Sequence, residues 1–167
     1  MIGKDFILAG NAIFTVREGD EHLTYRIKKP THEKGRKLSL SERNNKPYFI
    51  GKLVGPDNTS DYRYLGVLNE NTFEVNLTGK SMYTKSSKAV QVLELALGAI
   101  RENDMSILSP NMEILAPKYC GRCARLLTVP ESIENGIGPE CFTKMGGVFA
   151  KELGLDFNSL VKEASGK

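Results

Sequence analysis

The residues able to do chemistry are concentrated toward the C-terminal end of the chain. Cys120-Gly121-Arg122-Cys123 sets two sulfurs around a tight turn, at the spacing from which both can reach one metal ion, and Gly121 leaves room for backbone N–H groups beside the thiolates. Cys141 stands two residues after Pro139, which marks the first turn of a helix, where the helix dipole favours thiolate over thiol. Cys120, Cys123 and Cys141 are therefore candidate ligands of a structural Zn2+. They are the chain's full complement of cysteines, an odd number that cannot pair off internally into disulfides. A closed structural zinc site takes four ligands, and Lys144, the next position on the same helix face, is a poor one. The fourth position is left to His22, His32, Glu131, Glu134, Glu140 or water.

Other chemistries fit less well. A thioredoxin-like use of Cys120 and Cys123 lacks the βαβ context. Zinc deaminases place a His-x-Glu element before their Pro-Cys-x-x-Cys element, and no such element precedes Cys120. Gly136-Ile137-Gly138 is too short for a phosphate-cradling loop and lacks its Lys-Ser/Thr partner. With His22 and His32 the only histidines and no paired-carboxylate pattern, the expectation is a protein that is not an enzyme. A hydrolase using water on an incompletely ligated zinc is the alternative, and it lacks an evident general base.

Charge is the second signal. The formal net charge is +3, yet Arg26 to Lys52 holds nine basic residues against Glu33 and Glu42, a local +7 that leaves −4 for the rest. Such a segment attracts phosphates or an acidic partner, although a solvated loop would carry the same charge. Lys34, Arg36, Lys37 and Arg43 are the candidate phosphate or nucleic-acid contacts here. Arg122 and Arg125 join them beside the cysteines, diluted by Glu131, Glu134 and Glu140. Tyr25, Tyr48, Tyr62 and Tyr64 lie on neighbouring strand segments and offer rings for base stacking or core edges. Asp57, Asn58, Asp61 and Tyr62, in a polar turn bounded by aromatic segments, form a candidate ligand loop that reads equally as an ordinary hairpin connection.

The elements that must position these groups follow from periodicity. Phe6 to Ala9 and Ala12 to Val16 are apolar and rich in strand formers, and Glu18-Gly19-Asp20 turns the chain. His22 to Lys28 alternates, with Leu23, Tyr25 and Ile27 on a buried face and Thr24, Arg26 and Lys28 on a wet one. Strands are expected at Tyr48 to Val54, Tyr62 to Leu68 and Phe73 to Leu77, the first two separated by the turn formers Gly55 to Asp61. From Ser86 to Asn103 the period becomes helical: Val90, Leu93, Leu97 and Ile100 share one face, with Ser86 or Ser87 as N-cap. A short strand at Met112 to Leu115 leads to the cysteines, a helix begins at Pro139, and a last helix is capped by Asp156 or Asn158.

The run Cys120-Gly121-Arg122-Cys123-Ala124-Arg125-Leu126-Leu127-Thr128-Val129-Pro130-Glu131-Ser132-Ile133, with Gly136-Ile137-Gly138-Pro139-Glu140-Cys141, resembles a family of uncharacterised proteins of phages, plasmids and actinobacterial genomes. Phe6 to Ala12, Leu23-Thr24-Tyr25-Arg26, Gly55 to Tyr62 and Tyr64-Leu65-Gly66 resemble it too. Many members carry Gly where this chain has Ala124, and often a His before the first cysteine, where this chain has Pro117-Lys118-Tyr119. The resemblance implies a mobile-element protein with a zinc finger. It implies no activity.

The whole sequence reads as an α+β protein. An N-terminal antiparallel meander of about five strands, packed by one helix, occupies residues 1–117, and a zinc-knuckle module with C-terminal helices occupies 118–167. Hydrophobic content of 40% and charged content of 26% suit a soluble chain with a real core, and no run of about 18 apolar residues is present to span a membrane. The N-terminus shows no secretion signal, which points to the cytoplasm, that of the host if a phage encodes it. The expected function is a nucleic-acid-binding accessory protein. The alternative is a module that binds a host protein or sequesters a small nucleotide, inhibiting a host enzyme or defence factor.

Overall fold

The computed structural model describes residues 2–30, 47–120, 123 and 125–144. The chain is of mixed α and β type and divides into two compact units, Met1–Ala116 and Pro117–Lys167.

The first unit is a six-stranded antiparallel sheet. Strands β1 (Asn11–Glu18), β2 (Glu21–Lys28), β3 (Pro47–Leu53), β4 (Tyr62–Asn69) and β5 (Val75–Asn76) follow one another as a meander. Strand β6 (Met112–Leu115) returns to pair with β1 on the opposite edge, giving the order β5-β4-β3-β2-β1-β6. Sequence periodicity foresees the strand at Met112 to Leu115 as part of a connector; its place in the sheet depends on long-range pairing. The β1–β2 hairpin turns at Gly19, whose φ of +59° is the left-handed conformation that a two-residue hairpin needs.

Phe6 to Ala9 is not a strand. Lys4–Ile7 forms a single helical turn, α1, because Ile7 is fully buried in the core from there and Gly10, at φ +122°, reverses the chain into β1. Tertiary packing overrides strand propensity here.

One long helix, α2 (Lys88–Glu102), covers the sheet. Val90, Leu93, Leu97 and Ile100 on its apolar stripe join Phe14, Val16, Tyr25, Ile27, Ile50, Leu65 and Leu68 in one hydrophobic cluster. Each such side chain contributes roughly 1.5–3 kcal/mol of burial before entropy is counted. Ser87 is the N-cap residue, but its hydroxyl accepts from the Thr84 N–H at 2.9 Å and closes the preceding turn. At the other end Asn103 takes the left-handed conformation (φ +51°), and the Asp104 N–H returns to the Ala99 carbonyl at 3.0 Å. The fully buried Tyr25 donates its hydroxyl to the Ala89 carbonyl at 2.6 Å, tying sheet to helix.

The expected strand from Phe73 to Leu77 shrinks to Val75–Asn76. Phe73 sits at φ +59°, a costly conformation for a bulky residue, held by burial of its ring and by its N–H donating to the Asn69 carbonyl at 2.8 Å. The expectation of one wet sheet face also needs correction. Ile13, Thr15 and Thr24, on the face opposite Phe14 and Tyr25, are buried as well. Thr15 and Thr24 satisfy each other by a cross-strand hydroxyl contact of 2.8 Å, which lets two polar side chains leave water together.

The second unit has a two-stranded ribbon, β7 (Lys118–Tyr119) with β8 (Leu126–Leu127), then two short helices, α3 (Pro130–Asn135) and α4 (Pro139–Lys144). Helix α3 has Pro130 in its first turn and ends at Gly136 with φ +73°. That Pro-to-Gly bracket is a start-and-stop signal the sequence reading passed over. The last expected helix, at Asp156 or Asn158, lies outside the described residues. Among the described residues no helix is long and apolar enough to cross a membrane.

Candidate metal centre

The cysteines converge from three places. Cys120 directly follows the β7 strand of the ribbon, and its N–H donates to the Arg125 carbonyl at 2.8 Å, closing the loop that carries Cys123. Cys141 stands in the first turn of α4, which opens where the Phe142 N–H donates to the Gly138 carbonyl at 2.9 Å. The three sulfurs lie within 4.8 Å of one another, with Cys120 and Cys141 buried and Cys123 exposed. None of them is in a disulfide. The Gly138 N–H donates to Cys120 Sγ at 3.3 Å, a contact that orients the sulfur. A set of three converging sulfurs can hold a metal ion.

No carboxylate or imidazole joins that cluster among the described residues. Glu140 instead pairs with Arg125 at 3.6 Å. Glu131 and Glu134 are on α3, the latter exposed, and His22 is on β2 opposite Arg17. His32 lies outside the described residues.

Of the candidate nucleic-acid contacts, Arg125 is exposed and its charge faces Glu140. Lys34, Arg36, Lys37, Arg43 and Arg122 lie outside the described residues. Asp57, Asn58, Asp61 and Tyr62 are brought together, but largely to satisfy one another. The Asp57 carboxylate accepts from the Thr59 hydroxyl at 2.7 Å and the Thr59 N–H at 2.9 Å, which with Ser60 lowers its pKa to about 2. Asp61 accepts from the Asp57 N–H at 2.8 Å, and Tyr62 donates to the Asn58 carbonyl at 2.8 Å. A Cβ on Gly55 would collide with the Asp61 carboxylate, so glycine is needed for this loop to close. Burial pushes the Tyr62 hydroxyl up to about 12, against the opposing pull of Arg26.

The four tyrosines separate by face. Tyr25 and Tyr48 point into the core, where burial raises both hydroxyls, and Tyr48 donates to the Leu8 carbonyl at 3.1 Å. Tyr62 and Tyr64 point the other way and are half-buried. Sequence reasoning missed their neighbour Phe49, 46% exposed, although the alternation Tyr48 in, Phe49 out, Ile50 in was available to find it.

Residues 112–146 match the model of a family described as a family of unknown function, DUF6011, so the match spans β6 and the whole cysteine cluster. Neither the curated proteins nor the solved structures yield a match.

Proposed function

We propose that the protein is a non-enzymatic nucleic-acid-binding protein, an accessory of a phage or other mobile element, whose C-terminal unit is closed by a structural zinc ion. Cys120, Cys123 and Cys141 would hold the metal. Three sulfurs within 4.8 Å of one another, where a tetrahedral site with a Zn–S length of about 2.3 Å sets its sulfurs about 3.8 Å apart, form a soft donor set that suits zinc over the hard cations. Bound there, zinc cross-links the β7–β8 ribbon to α4. The resemblance of residues 120–141 to phage and plasmid proteins supports the mobile-element assignment.

The observation that carries nucleic-acid binding is the charge of the β2–β3 stretch: nine basic residues against two acidic from Arg26 to Lys52, with Arg26 and Lys28 sharing one face of β2. Two measurements test the reading. The purified protein should carry about one zinc per chain by elemental analysis, and a folded metal-free protein would remove the site. Replacing Lys34, Arg36 and Lys37 together by glutamine should weaken binding to a single-stranded oligonucleotide and reduce the slope of log K against log salt by about 2. An unaltered slope would remove those contacts.

A further inference from the structure

The sheet has two faces, and the one turned away from α2 has a composition of its own. On it β2 supplies Arg26 and Lys28, β3 supplies Phe49 and Gly51, and β4 supplies Tyr62 and Tyr64. The cross-strand register forms two rows, Arg26–Gly51–Tyr64 and Lys28–Phe49–Val67. In them cations stand beside rings, and no position that β2, β3 or β4 contributes to this face is acidic.

The rings are held in place before any ligand arrives. The Phe49 and Tyr64 centroids are 6.4 Å apart in an edge-to-face arrangement, and the Tyr64 hydroxyl is 3.0 Å from Thr78 Oγ1. The Arg26 guanidinium lies over the Tyr62 ring, 4.5 Å from its centroid, and donates to the Thr59 carbonyl at 3.0 Å. Gly51 makes this possible: a Cβ there would stand 2.8 Å from Cβ of Tyr62, so a side chain at that position would displace the ring. A bulge between Ile50 and Gly51 adds local twist at the same point.

Resting on the nucleic-acid reading above, we propose that this face is a stacking platform for single-stranded nucleic acid. Phe49 and Tyr64 present π-faces to unpaired bases, and the arginine–tyrosine stack of Arg26 and Tyr62 offers a third planar surface. Lys28 and the remaining guanidinium N–H groups of Arg26 meet the phosphates. An exposed phenylalanine among cations suits a partner that is at once planar, apolar on its faces and anionic along its edge, which is the chemistry of an unstacked nucleotide chain. Paired bases hide those faces, so a duplex has less to offer this surface. The well-satisfied turn from Gly55 to Asp61 gains a role as the clamp that fixes Arg26 and Tyr62 through the carbonyls of Thr59 and Asn58.

The test uses the full chain, with fluorescence anisotropy on labelled DNA and RNA oligonucleotides of matched sequence, single-stranded and annealed. The variants are Phe49→Ala, Tyr64→Ala, Phe49→Trp and the double alanine. Each alanine should weaken single-strand binding roughly five- to a hundredfold, Phe49→Trp should retain it, and the duplex should bind more weakly than the single strand. The ratio of DNA to RNA affinity identifies which polymer the face prefers. Circular dichroism confirms that the variants are folded, and Phe49→Trp supplies a ring-bearing control if an alanine destabilises the sheet. If the wild type binds nucleic acid and the double alanine binds within twofold of it, the platform is wrong and the nucleic-acid reading survives. If the wild type binds neither single strands nor duplex, both are wrong.

Discussion

The two units differ in how much apolar surface their described residues bury. In Met1–Ala116 a fifteen-residue helix covers a six-stranded sheet, and the buried side chains include Phe14, Tyr25, Ile27, Ile50, Leu65, Leu68, Leu93 and Leu97. In the described part of Pro117–Lys167 the helices are six residues each, and Leu127, Ile133 and two cysteines are the buried hydrophobic residues. Those described residues offer little apolar burial against the entropy of ordering a ribbon and its loops, which is the deficit the proposed zinc would make up. The difference teaches where each unit is vulnerable. On the zinc proposal, one should respond to a lost methylene group and the other to a lost ligand.

The largest expected effect is therefore on the cysteine unit. Zinc finger peptides draw about 10–16 kcal/mol from structural zinc. Chelation, or Cys141→Ser, should abolish hydrogen-exchange protection of the Cys120, Ile133, Gly136 and Phe142 amides, all hydrogen-bonded here, while β1 to β4 stay protected. Protection that persists without metal would erase the contrast between the units. The reciprocal experiment is smaller. Leu93→Ala in the centre of α2 should destabilise the sheet unit by about 2–5 kcal/mol in urea titration, with the metal content of the folded protein unchanged. A fall in metal content would show that the units are coupled.

How much of this was legible in the sequence depended on whether a residue's role was set locally. The stripe Val90, Leu93, Leu97 and Ile100 announces α2 because helical periodicity is a local property. The three converging cysteines were readable for the same reason: the pair is fixed by its turn and the third by Pro139. Lys4–Ile7 was not readable, since its apolar residues carry no period and the core decides their conformation. Nor was the burial of Thr24, which depends on meeting Thr15 across a strand pair. Phe73 in a left-handed conformation runs against every local preference and is explained only by the space that receives its ring.

The smallest effect sharpens the comparison from the polar side. Asp57 is fully exposed, and its carboxylate is held below the usual value of 3.8, at about 2, by the Thr59 hydroxyl and N–H. A depressed pKa contributes stability above the unfolded value and loses it as pH falls toward the folded one. The stability difference between wild type and Asp57→Asn should be level above about pH 4 and close between there and about pH 2, as read from urea midpoints. A difference that does not change with pH would show that the Thr59 bonds do not discriminate the charged form.

The pairing of β6 with β1 has a consequence for synthesis. Thr15 faces Leu115, and the Arg17–Glu113 ion pair crosses the same seam, so β1 waits for partners made about a hundred residues later. At about 5–20 residues per second, the edge of β1 from Thr15 to Glu18 stays open for roughly 5–20 s after it is made. An open edge is a template for strand pairing between nascent chains. Until β6 emerges, the yield of folded protein is set by a race between self-association and the ribosome.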